Sequence, residues 1–190
     1  MRLPLRHLAI MPLILFASQH ASAQSIEEKA QLCASCHGED GTPQEKATPI
    51  IWGQTEGYLY IELRDYKIGT RKNEIMSQIA STLERQDMYD LAAYFAAKPW
   101  PNVQQPQASA DVVKHAMTVI GSVGCIGCHL DKYQGTGTTP RIADQNEEYL
   151  AQTMIAFRNK ERGNNPGMTS LMGSISEDDI NALAAYLAAL

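Results

Sequence analysis

Two pentapeptides hold the residues best suited to chemistry in this chain: Cys33-Ala34-Ser35-Cys36-His37 and Cys125-Ile126-Gly127-Cys128-His129. Both read CxxCH, the attachment signature for c-type haem. Each cysteine pair can form two thioethers to porphyrin vinyl groups, and the histidine that follows is placed under the iron. All four cysteines of the 190-residue chain are used this way. A zinc ribbon is disfavoured because the pairs lie 92 positions apart (125 − 33), far beyond that motif's spacing. A thioredoxin-like pair is disfavoured because no strand–helix alternation surrounds either motif. Neither reading, nor two disulfides, accounts for the histidines. The expected cofactors are two covalently bound haem c groups on Cys33, Cys36, Cys125 and Cys128. His37 and His129 are the expected axial iron ligands.

The other axial position decides what such an iron can do. Left open, it binds small molecules or peroxide; closed by a second ligand, it passes electrons. Beyond residue 23 the only other histidine is His115, which has no counterpart near the first motif and reads as a surface residue. Of Met76, Met88, Met117, Met154, Met168 and Met172, only Met76 and Met168 recur as a pair, each 39 residues beyond its histidine. They are the expected distal ligands, each in a polar loop that returns over the iron. Met172 is the competitor at the second site, while Met88 and Met154 fall where helices need gap-filling core residues. A thioether favours ferrous iron and raises the potential relative to two histidines.

Positioning these residues requires one module written twice. Thr48-Pro49-Ile50-Ile51-Trp52-Gly53-Gln54 recurs as Thr139-Pro140-Arg141-Ile142-Ala143-Asp144-Gln145, offset by 91. Tyr58-Leu59, Tyr66-Lys67 and Arg71 recur at the same offset as Tyr149-Leu150, Phe157-Arg158 and Arg162; Asp87 and Tyr94 recur at 92 as Asp179 and Tyr186. Such self-similarity marks a duplicated structural unit. Between the copies, Lys98-Pro99-Trp100-Pro101-Asn102-Val103-Gln104-Gln105-Pro106-Gln107 cannot continue a helix and reads as a stiff linker. Trp100 is free to pack on either copy. The expected organisation is a first domain over 24–98, a linker over 99–110 and a second domain over 111–190.

Within each copy the periodicity predicts helices over 26–32, 56–68 and 83–97, and over 112–120, 147–159 and 177–190. Leu91, Tyr94 and Phe95, like Leu183, Tyr186 and Leu187, fall on one helical face and read as core. Ser176 and Asp179 form a capping pattern that Glu84 weakens in the first copy. The fold class is therefore all-α. Each module of about 80 residues is marginal without extra apolar surface, which a porphyrin would supply.

The N-terminus reads as an export signal over 1–23: Arg2, Arg6 and His7, an apolar run over 8–16, and Ala21-Ser22-Ala23 for cleavage. That run is too short to span a bilayer, and no other stretch reaches transmembrane length. Without Arg2 and Arg6, 14 basic residues face 21 acidic ones, a net charge of −7. This disfavours nucleic acid and anionic membrane surfaces as partners. It permits docking to a basic patch on a redox protein, and peripheral membrane association stays open.

Taken with Cys36-His37-Gly38-Glu39-Asp40-Gly41, the Pro49 and Pro140 segments, Met76, Met168 and Asp90-Leu91-Ala92-Ala93-Tyr94-Phe95, these motifs resemble the diheme cytochrome c4 family over essentially the whole exported chain. The resemblance implies two tandem small cytochrome c domains, each wrapped around one haem and related by a pseudo-twofold axis. It implies that Pro49 and Pro140 hold the histidines through a backbone carbonyl. The implied function is periplasmic one-electron transfer between a quinol-oxidising complex and a terminal oxidase or reductase, not catalysis. Two alternatives stand beside it: the diheme subunit of a flavocytochrome-like dehydrogenase and, with less support, a diheme peroxidase. Leu130 in place of Gly38, Asp144 in place of Gly53 and the short segment over 119–124 depart from the pattern. Arg71 and Arg162 are the repeated arginines available to haem propionates.

Overall fold

The computed structural model describes residues 24–190; the expected export signal lies outside the described residues. Four helices precede the proline-rich stretch: α1 (Ile26–His37), α2 (Glu56–Ile68), α3 (Glu74–Ser81) and α4 (Arg85–Ala96). Five follow it: α5 (Ala110–Val123), α6 (Ile126–His129), α7 (Glu147–Arg158), α8 (Pro166–Met172) and α9 (Glu177–Ala188). Among the described residues there is no strand, only an isolated bridge between Thr136 and Thr139. None of these helices is long and apolar enough to cross a membrane.

Local chemistry sets the helix starts. The Ser25 hydroxyl accepts from the Glu28 N–H at 3.2 Å and the Glu28 carboxylate accepts from the Ser25 N–H at 3.0 Å, closing a capping box on α1. Ser109 accepts from the Val112 N–H at 3.3 Å to start α5. Ser176 and Asp179 exchange bonds at the start of α9. In α4 the Asp87 carboxylate accepts from the Glu84 N–H at 2.9 Å, so the reach-back half of the box survives without a serine.

The two halves pack alike. In the first, α4 lies on α1 and α2, and α3 on α2; in the second, α9 lies on α5 and α7, and α8 on α7. Leu91, Phe95, Leu183 and Leu187 are buried, as their spacing predicts, and so are Met88 and Met154.

Two expectations are corrected. The first-copy helix does not stop at 32: α1 runs through the whole CxxCH to His37, so its motif is helical. In the second copy α5 ends at Gly124, in the left-handed region at φ 77°, and the motif forms the separate short α6. The two repeated methionines sit not in loops but in the first turns of α3 and α8. There Asn73 and Asn165 accept from the Met76 and Met168 N–H groups, each at 3.0 Å. Asparagine N-caps turn the polar segments into helix starts.

Candidate haem sites and the interface between them

Both histidines are buried, 7 % exposed each. His37 Nδ1 lies 2.8 Å from the Pro49 carbonyl oxygen, and His129 Nδ1 lies 2.9 Å from that of Pro140. A carbonyl only accepts, so Nδ1 carries the proton and Nε2 presents its lone pair. Burial pushes both histidines below the ordinary imidazole pKa, against the carbonyl bonds that raise it. A neutral imidazole with a fixed tautomer suits a metal ligand.

None of the four cysteines is joined in a disulfide. Burial pushes the Cys33 thiol up to about 11 and raises Cys125 as well, which disfavours binding a bare metal as thiolate. Among the described residues no group of three or more His, Cys, Asp or Glu gathers around a point. The donors present are thus one imidazole and two thiols per site, and this set fits a porphyrin-borne iron. Haem supplies the reversible one-electron couple once attached.

Met76 and Met168 are each half-buried, and Met168 packs along the edge of the second core. Met172 is 3 % exposed inside that core, where it serves as packing. His115 sits on α5 with Nε2 2.6 Å from Asp179 Oδ1, tying that helix to the start of α9. In the first half Lys29 makes the same tie to Asp87.

Two of the departures, Leu130 for Gly38 and Asp144 for Gly53, change the residue but keep the positive φ. Gly38 and Leu130 both take positive φ, 88° and 67°. A Cβ at Gly38 would lie 2.0 Å from the Thr42 carbonyl oxygen, so only glycine fits there. Gly53 and Asp144 are likewise left-handed, at 66° and 58°, and donate equivalently to the Phe95 and Leu187 carbonyls at 2.9 Å each. Asp144 gains a role: its carboxylate accepts from Trp100 Nε1 at 3.1 Å. The Arg141 guanidinium covers the Trp100 ring at 4.3 Å, while the Trp100 backbone crowds Gly53. Trp100 therefore bridges both halves.

Three features of the interface were not assigned roles from sequence. Gln54 reaches the Arg141 backbone, and Gln145 reaches that of Ile50, through both amide atoms. Tyr58 and Tyr149 are half-buried near the arginines of the opposite half. Arg162 Nη2 donates to Tyr58 at 3.3 Å, and Arg71 Nη2 to Tyr149 at 3.1 Å. Burial raises the Tyr149 phenol, but the Arg71 and Arg162 charges outweigh it and bring it down to about 8. One carboxylate serves both arginines: Glu62 accepts from Arg71 at 2.6 Å and from Arg162 at 2.7 Å, with Asn164 added at 3.1 Å. Recurrence flagged the glutamines, tyrosines and arginines. Glu62 has Thr153 at the matching position, so no repeat could reveal it. Arg71 and Arg162 are buried in this network, not exposed on a helix face.

The cytochrome c family model matches residues 26–97 and again 114–190. Cytochrome c4 of Azotobacter vinelandii is 32 % identical over 180 residues, covering 85 % of this chain and 86 % of that protein. The chain belongs to the diheme cytochrome c4 family. The crystal structure of reduced recombinant cytochrome c4 from Pseudomonas stutzeri superposes with a TM-score of 0.77 at 28 % identity, covering 88 % of this chain and 100 % of that one. A protein named thiosulfate dehydrogenase electron acceptor, from Stutzerimonas stutzeri (strain A1501), is 33 % identical over 172 residues, covering 84 % and 79 %. As a diheme cytochrome c4, the chain carries two covalently bound haem c groups in two tandem all-α domains. It is an electron-transfer protein rather than an enzyme.

Proposed function

We propose that this diheme cytochrome is a periplasmic one-electron carrier with two closed, six-coordinate irons. Cys33, Cys36, Cys125 and Cys128 hold the haems; His37 with Met76, and His129 with Met168, are the axial ligands. The observation that carries the reading is the repeated pair of neutral, carbonyl-anchored histidines, 2.8 and 2.9 Å from Pro49 and Pro140. Each is followed by an asparagine-capped methionine. Met168 is preferred over Met172 because the latter is spent on the core. Fixed ligands limit the structural change that accompanies an electron and keep dioxygen and peroxide off the metal.

The domains are 24–98 and 111–190, with 99–110 as linker and 1–23 as the export signal; the two matches of the family model support the division. The partners are redox proteins: a quinol-oxidising complex as donor and a terminal oxidase or reductase as acceptor. A second reading has a specific support. The similarity to a thiosulfate dehydrogenase electron acceptor favours a dehydrogenase as donor, to which the same carrier would dock.

A redox titration with optical and magnetic spectra of the parent, Met168→Ala and Met172→Ala tests the assignment. Met168→Ala is expected to abolish the Met–iron charge-transfer band of one haem, and Met172→Ala to leave both bands. The reverse result, or rapid cyanide binding by the oxidised parent, refutes the closed-site reading.

A further inference from the structure

We propose that Gln54 and Gln145 are crossed positioning residues, each tuning the iron ligand of the opposite half through a single peptide group. The proposal rests on His37 and His129 as iron ligands. Gln145 Oε1 accepts from the Ile50 N–H at 2.8 Å. That N–H belongs to the same peptide group as the Pro49 carbonyl, which accepts from His37 Nδ1 at 2.8 Å. In the other direction Gln54 Oε1 accepts from the Arg141 N–H at 2.7 Å. The Pro140 carbonyl of that peptide accepts from His129 Nδ1 at 2.9 Å.

Amide resonance links the two ends of each peptide. An acceptor at the N–H draws electron density toward the carbonyl oxygen, and bonds in such a chain strengthen one another. A more negative carbonyl holds the Nδ1 proton more tightly and makes Nε2 the stronger donor to a metal. A stronger imidazole donor favours the ferric state. Each glutamine therefore lowers the reduction potential of the haem in the half to which it does not belong.

The glutamines are built to hold this orientation. Both are almost wholly buried, 3 % and 2 % exposed. Gln145 Nε2 donates to the Ile50 carbonyl and Gln54 Nε2 to the Arg141 carbonyl, each at 2.9 Å. Each Oε1 also accepts the N–H of its own next residue, Thr55 or Asn146, at 2.9 Å. An amide pinned by three bonds of fixed polarity cannot flip without breaking all of them. The haem site of either half is thus completed by a side chain of the other.

The test is a potentiometric titration of the holoprotein with the two haems resolved by their hyperfine-shifted NMR signals. Met76→Ala and Met168→Ala assign those signals. Gln145→Leu is expected to raise the potential of the haem on Cys33 and Cys36 alone, and Gln54→Leu that of the haem on Cys125 and Cys128 alone. The expected size is about threefold in the reduction equilibrium, which is ~30 mV at 59 mV per decade. Where leucine prevents haem loading, Gln→Met takes its place. Asn146→Ala removes that side chain's two bonds, to the Thr48 carbonyl at 2.6 Å and from Gln105 at 2.9 Å, keeps the backbone N–H that Gln145 accepts, and is expected to move neither potential. A shift at the same-half haem, an equal shift at both, no shift at either, or an equal effect of Asn146→Ala overturns the proposal. The ligand reading fails separately, if His37→Ala or His129→Ala keeps the parental haem spectra.

Discussion

Among the described residues the first half carries nine buried apolar residues and the second sixteen, although both are copies of one helical module. The first core is small: Ala30, Leu59, Leu91, Ala92 and Phe95, edged by Ile51, Trp52 and Tyr94. It even buries Trp52 Nε1 without a partner, where the second half has Ala143. The second core runs from Ala116 to Ala188 and takes in Met172, Ile175 and Ile180 as well. In exchange, the first half holds the polar centre of the interface, since Glu62 on α2 anchors the arginines of both copies. Duplication preserved the haem-binding frame, and the halves then divided the work of stability. One packs more protein around its site, and the other supplies the charge that joins the two.

The strongest way to break this comparison is to withhold one haem at a time. Replacing Cys33 and Cys36 by serine is expected to cost α1–α4 most of their amide protection in hydrogen exchange, because their own apolar core is too small. The same change at Cys125 and Cys128 is expected to leave α7 and α9 substantially protected. Equal loss in both variants would show that the difference in core size has no energetic weight.

Glu62→Ala strands two buried guanidiniums and is expected to cost about 3–5 kcal/mol of holoprotein stability, read from denaturant midpoints. Thr153→Ala, at the matching position of the second half, is expected to cost ~1 kcal/mol or less. Gly38→Ala and Leu130→Gly sharpen the contrast further. The first drives a methyl into the Thr42 carbonyl and is expected to destabilise by about 2 kcal/mol or more. The second relieves a left-handed leucine and is expected to change stability by ~1 kcal/mol or less, as relief of strain offsets lost side-chain contact.

The smallest effect concerns acid. The Lys29 bond, helped by the Glu84 N–H, holds Asp87 below the usual carboxylate range. Ser176 and then His115 do the same for Asp179. Both folded values lie below the unfolded one, about 3.9, so their contribution is complete above that pH and is lost as pH falls through the folded values. Asp87→Asn and Asp179→Asn are each expected to flatten the acid limb of the stability curve slightly, because both pairs are partly exposed.

Much of the site was legible because its requirements are local. A covalent attachment motif is contiguous, and α2, α7, α4 and α9 follow from apolar spacing that packing then honours. Recurrence paired the methionines but placed them in loops, whereas both lie in first helical turns. Asn73 and Asn165 looked like loop residues, whereas the structure uses them as helix caps. Leu130 and Asp144 looked like disruptions of the second site, yet each keeps the left-handed backbone of its glycine counterpart. Backbone geometry set by neighbouring turns outlasted the residue change.

The sequence by itself determined the cofactor chemistry, the two-module plan and the helical fold, because attachment spacing, periodicity and repetition are properties of order along the chain. Only the tertiary structure decided how the modules address one another. Gln54 crosses to Arg141, Gln145 to Ile50, and Glu62 gathers Arg71 and Arg162 from both halves. Those pairs join residues up to 100 positions apart. A hydrogen bond depends on where two groups meet in space, and no pattern along one strand of sequence encodes which partner a buried glutamine or glutamate will find.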